Sequence, residues 1–112
     1  MATYTPTRLA GLGAQLGTSA TAVYTTPSNT STVIKQIVFN NTSSSAVAVT
    51  AYILPVGASA SATNAIISGL SIAPNSQIIW SADIPIATGE KLSLLAATGG
   101  AISYLVSGIE IA

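Results

Sequence analysis

The chain has 112 residues, of which 49% are hydrophobic and 5% charged, with three basic and three acidic side chains, no His and no Cys. That is one domain's worth of sequence, and a mean hydropathy of +0.63 at zero formal charge is incompatible with a disordered chain. Imidazole and thiolate chemistry and disulfides are excluded outright, and three dispersed cations at a pI near 5.9 cannot neutralise a run of phosphates, so no nucleic-acid partner is expected.

Thirteen Ile, seven Val and 14 Thr favour pleated strands, because branching at Cβ restricts rotamers in helices. Turn residues recur about every ten positions, the spacing of an all-β sandwich or barrel. Residues 1–15 read as an extended N-terminal arm. Its Tyr4, Pro6 and Arg8 combine an aromatic, a stiffening proline and the only Arg, a set suited to lying across a neighbour. The run Gly11-Leu12-Gly13-Ala14-Gln15-Leu16-Gly17 is close to a dinucleotide fingerprint. Leu16 stands where the third Gly belongs, and no strand precedes or helix follows, so a turning segment is expected. Gln15 and three glycines also dilute residues 9–17 as the apolar core of a leader peptide, and no cleaved leader is expected.

A strand is expected over 20–25, then a turn at Pro27, Ser28 and Asn29. Residues 32–40 form the next strand; it is apolar on both faces and therefore central, with Lys35 reaching to solvent. Residues 40–45 read as a hairpin loop to a strand over 46–54, and 55–64 as the longest loop. Strands over 65–72 and 77–84 follow, separated by a turn at Pro74 and Asn75. Pro85 ends the second of these, and Trp80 is its largest core candidate. After a turn at Thr88, Gly89 and Glu90 comes a strand over 91–97, a hairpin at Gly99-Gly100 and a last strand over 101–111. The expected fold is all-β: an antiparallel two-sheet β-sandwich, Ig-like or jelly-roll, of seven to eight strands over residues 16–112. Val23, Ile37, Phe39, Val49, Ile53, Trp80, Leu92, Leu94, Tyr104 and Val106 supply its core.

The apolar stretches 51–54 and 66–72 are too short to span a bilayer, so no membrane partner is expected. Carboxylate catalysis needs two of Asp83, Glu90 and Glu110 in one cleft. Glu90 beside Lys91 reads as a solvated charge, Asp83 as a turn cap and Glu110 as an exposed residue near the terminus. A Ser-Lys dyad has no motif, since Thr32 and Thr88 stand three residues before Lys35 and Lys91. No enzyme activity, cofactor or metal is expected. Asn29, Asn40 and Asn41 match the glycosylation acceptor pattern but sit in predicted turns, where Asn is favoured for its own hydrogen bonds.

Three stretches together, Val23-Tyr24-Thr25-Thr26-Pro27, the run Thr32-Val33-Ile34-Lys35-Gln36-Ile37-Val38-Phe39-Asn40-Asn41-Thr42, and Ile86-Ala87-Thr88-Gly89-Glu90-Lys91-Leu92, resemble small bacteriophage virion structural proteins. The resemblance runs over residues 16–111. It implies a location in the virion and partners that are the major capsid protein or other virion proteins. A domain of this size without disulfides or surface charge is expected to gain burial as a homo-oligomer, and the resemblance implies a homotrimer. Among the roles the resemblance implies, a capsid decoration or cement protein is the expectation, because no fibre repeat or receptor domain is appended; a nearly uncharged Ser, Thr and Ala surface suits a chain whose neighbours are other subunits. The alternative is a tail or head fibre module that binds host-surface carbohydrate.

Overall fold

Runs of Ile, Val and Thr bounded by Pro, Asn and Gly become eight strands. They are β1 (Tyr4–Gln15), β2 (Thr21–Thr25), β3 (Ser31–Asn41), β4 (Val47–Leu54), β5 (Ala65–Ile72), β6 (Gln77–Ile86), β7 (Lys91–Ala96) and β8 (Ile102–Ile111). The computed structural model describes residues 3–112, and a single 3-10 turn at Ala62–Asn64 is the only helical element among them. The strands form two four-stranded antiparallel sheets, a front sheet in the order β1-β8-β3-β6 and a back sheet in the order β2-β7-β4-β5.

The pairings show how the chain is wound. β1 pairs with β8, β2 with β7, β3 with β6 and β4 with β5, as in one long hairpin bent at the β4–β5 loop and then rolled up. Successive strands therefore alternate between sheets, and only β4 and β5 are neighbours both in sequence and in a sheet. This is the jelly-roll form of the expected sandwich; an Ig-like sandwich keeps several sequence-adjacent strands side by side in one sheet.

The rolled topology corrects several local expectations. Residues 40–45 and Gly99-Gly100 do not close hairpins, because β3 and β4, like β7 and β8, lie in different sheets. The in-sheet hairpin is instead the long 55–64 loop. Residues expected as a free arm are, from Tyr4 to Gln15, the edge strand β1, extended but hydrogen-bonded to β8 from Tyr4↔Ile111 to Gln15↔Ser103; Met1 and Ala2 of that expected arm lie outside the described residues. Pro85 lies within β6 and does not end it. β1, with Pro6, and β6, with Pro85, are the two edges of the front sheet, where a missing N–H can face outward at little cost and discourages further strand addition.

Of the expected core, Ile37, Phe39, Val49, Leu92, Leu94 and Val106 are completely buried, while Val23, Ile53, Trp80 and Tyr104 pack partly buried against them. Phe39 is the largest fully buried side chain. Trp80 does not take that place because it stands on the edge strand β6, opposite Ile37 of β3. Asn41, expected in a turn and offered as a glycan acceptor, is fully buried at the end of β3. Its Nδ2 donates to the carbonyls of Ser45 (2.8 Å) and Ile72 (3.0 Å), and its Oδ1 accepts from the Ser43 N–H. It thereby fastens the approach to β4 and the end of β5 to β3. Among the described residues, no buried side-chain polar atom lacks a partner, as a low-dielectric interior requires.

Two glycines record how closely the front strands approach. A Cβ on Gly108 would lie 2.3 Å from the carbonyl oxygen of Val33, and one on Gly11, whose φ is +98°, would lie 2.3 Å from that of Tyr104. Both occur beside irregularities in the ladders, with Leu9 unpaired between Arg8 and Ala10 of β1 and Lys35 between Ile34 and Gln36 of β3. The glycine-spaced segment is thus a bulged part of a strand, not a turn.

Candidate interaction surface

Directly opposed residues on antiparallel strands share a face, so the front sheet's register lays out its outer surface in rows. Toward one end, Tyr4 of β1 stands beside Ile111 of β8. The next row is Pro6, Ile109, Val33 and Pro85, all apolar, crossing β1, β8, β3 and β6. The third is polar: Arg8, Ser107, Gln36 and Ser81. The fourth is again apolar, with Leu105, Val38 and Ile79 beyond Gly11. The last is Gln15, Ser103, Asn40 and Gln77. Val33, Val38, Leu105 and Ile109 are half-buried by their neighbours, while Tyr4 and Ile79 are 67% and 53% exposed. Two apolar bands therefore cross the outside of this sheet with a polar band between them.

The β3 bulge shapes the polar band. It turns Lys35 outward as well as Gln36, and Lys35 pairs with Asp83 across to β6. With Ser81 and Ser107 these residues line an open hollow of about 580 Å³. Asp83, expected to cap a turn, is thus a strand residue on the outer surface.

The back sheet is different. Its outward register positions include Ala48, Thr50, Tyr52 and the buried Leu54 of β4, Leu95 and the buried Ser93 of β7, and Ser71 of β5. Small and hydroxylated residues dominate, and no apolar row crosses it.

The three stretches behind the family resemblance converge at one end of the sandwich. Thr26 N–H and Oγ1 both donate to the Glu90 carbonyl (3.0 and 3.1 Å), and Gly89 N–H donates to the Thr26 carbonyl. Thr88 and Thr30 exchange side-chain and backbone bonds. Tyr24 reaches from the back sheet to the inner side of the front sheet. Its hydroxyl donates to Glu110 Oε2 (2.6 Å) and lies 2.7 Å from Thr32 Oγ1. Burial and the hydrogen bond to Glu110 push the Tyr24 phenol up to about 12, against a smaller opposing effect of Thr32.

The three carboxylates are each taken up separately. Glu110, expected to be exposed, faces inward opposite Thr32 and binds Tyr24. Glu90, expected to be a free solvated charge, accepts from the Ala87 N–H at 2.7 Å and closes the turn before β7. Asp83 holds Lys35. Among the described residues no three His, Cys, Asp or Glu side chains converge as metal ligands, and no helix is long and apolar enough to cross a membrane.

The fold has known counterparts. Two solved structures of infectious bursal disease virus share it. The Gx strain structure superposes with a TM-score of 0.57 at 16% identity, covering 99% of this chain and 32% of that one. The Gt strain structure gives 0.51 at 11% identity, covering 98% and 31%. This chain therefore spans about a third of the length of the virus chains it matches, and at these identities the likeness is one of fold. No family model and no curated protein matches the sequence.

Tyr4, Pro6 and Arg8, singled out on residue type, all have exposed side chains on the edge strand of the front sheet. The residues that sequence reasoning missed are those that extend this edge into a surface: Val33, Val38, Leu105, Ile109 and Ile79. The signal was present in β3, whose apolar residues occupy both faces; one face packs in the core, and the other lies outside.

Proposed function

We propose that this chain is a non-enzymatic structural component of a bacteriophage virion, a capsid decoration or cement protein that docks on other virion proteins through the outer face of its front sheet. The observation that carries the reading is the pair of apolar bands on a sheet face that no other element among the described residues covers. Large exposed apolar patches mark interaction sites, and a chain with six charged residues in all offers little electrostatic obstacle to close packing. The shared fold with a virus structure and the resemblance of the three converging stretches support the same reading. Many weak copies of such a contact on a repeating lattice give strong net attachment.

The fibre alternative calls for exposed aromatics flanked by polar groups. Among the described residues Tyr4 is the one aromatic that is well exposed, and its neighbour in the row is Ile111. The homotrimer expected for such proteins rests on the resemblance.

Locating the protein on purified particles tests the proposal. Regular occupancy of the head surface is expected, and Val38→Asp, which puts a charge into the second apolar band, should abolish occupancy while leaving the circular dichroism of the isolated protein unchanged. Finding the protein only on the tail, or unaltered occupancy of the variant, would overturn it.

A further inference from the structure

The bands on the front sheet are complementary to themselves in one orientation. We propose that two copies of this chain pair face to face through their front sheets, about a twofold axis that runs roughly along the strands. The inference rests on the reading of this face as a protein-docking surface and names the partner as a second copy.

An axis along the strands keeps each row at its own height and reverses its direction. Apolar bands then meet apolar bands: Ile109 lies over the second copy's Val33, and Leu105 over its Val38. The polar band meets itself, with Ser107 over Gln36. Reversal also carries β1 of one copy over β6 of the other. Arg8, at the β1 end of the polar band, comes to lie over Ser81, at the β6 end, with Asp83 and its Lys35 partner next along β6 and β3, and the contact occurs twice by symmetry. Asp83 is well exposed, with 74% of its side-chain surface free despite its Lys35 partner, and the Arg8 side chain is exposed.

The competing twofold axis, along the rows, serves less well. It would set Arg8 against Arg8 and Asp83 against Asp83. It would also lay the polar row Gln15, Ser103, Asn40 and Gln77 over the end row Tyr4, Ile111 and Ser31, of which two are apolar. Charge and row order therefore both select the axis along the strands. The size is adequate: four strands about 4.8 Å apart and ten residues rising about 3.3 Å each give roughly 600 Å² of flat face before side-chain relief, near the roughly 800 Å² per partner of a stable complex.

Arg8 and Asp83 stand on opposite edges of the front sheet, roughly 14 Å apart across three strand spacings, so they do not pair within one chain. That makes charge exchange a direct test. Sedimentation equilibrium of the intact chain at low salt should show a dimer. Arg8→Glu and Asp83→Lys should each weaken it by roughly fivefold or more, and the double variant should recover most of the loss. A monomer at all concentrations, a trimer, a dimer indifferent to both reversals, or a double variant weaker than either single would each overturn the pairing. The parent reading fails separately. If the protein is monomeric but Val38→Asp still loses particle occupancy, the face docks on another virion protein and only the pairing is overturned. If the dimer behaves as expected but is absent from particle heads, the pairing stands and the capsid role falls.

Discussion

The front and back sheets use the same alternation to build the core, yet their outer faces differ in kind. On the back sheet, β4 places Val47, Val49 and Ala51 inward, while its outward Ala48, Thr50, Tyr52 and Leu54 stand beside Ser71, Leu95, Ser93 and Lys91, so no row of that face is apolar throughout. On the front sheet, β3 and β8 place Ile37 and Val106 inward but Val38 and Leu105 outward. A strand apolar on both faces is normally covered on both. Here the chain covers one face and leaves the other available, and the asymmetry between sheets distinguishes a surface built for contact from one built for solvent.

The comparison is tested most severely by adjacent residues on opposite faces. Ile37→Ala should cost about 2–5 kcal/mol in denaturant unfolding of the isolated chain, whereas Val38→Ala, half exposed, should cost about 1 kcal/mol. Equal losses would mean that the outer face is also covered within the chain. Gly108→Ala should be as damaging as the core truncation, because its new Cβ meets the Val33 carbonyl at 2.3 Å and the β8–β3 ladder must open to admit it; the midpoint of thermal unfolding measures this.

Tyr24→Phe removes the hydroxyl that joins the inner sides of the two sheets, leaves Glu110 without that donor, and should cost about 1–3 kcal/mol. It also carries a pH signature. The folded state keeps the phenol neutral to about pH 12, while the unfolded chain releases its proton near 10. The stabilisation is therefore complete below pH 10 and declines as pH rises from 10 through 12. Unfolding midpoints measured across that range should fall more steeply for the native chain than for Tyr24→Phe. The smallest effect is expected at Asp83→Ala, whose ion pair with Lys35 is solvent-exposed; isolated-chain stability should change by less than about 1 kcal/mol.

The strands β2 to β8 were legible to within about two residues because Pro, Asn and Gly punctuate Ile- and Val-rich runs. β1 was not, because Pro6, Gly11 and Gly13 are poor strand formers whose extended state is imposed by β8, almost a hundred residues away. The same distance hid the winding. Local turn residues specify a reversal but not which sheet receives the next strand. Glu110 looked like a solvated terminal charge because nothing near it in sequence shows that Tyr24 and Thr32 stand ready to bind it. Of the candidate surface, residue type alone points to Tyr4, Pro6 and Arg8; Val33 and Val38 read only as apolar positions of a central strand, because which of two apolar faces is covered cannot be told until the sheet has sides.

The rolled pairing has a consequence in time. A ribosome delivers β1 seven strands before its partner β8, and β2 waits for β7 and β3 for β6. Only β4 and β5 can join while the chain is still short. Until β6 emerges, the central strand β3 has no hydrogen-bonded neighbour in its own sheet, so folding is dominated by late, distant closures and should be slow. During that interval nascent copies expose strands able to pair with one another, and the prolines fixed in β1 and β6 guard the edges only after the roll has closed.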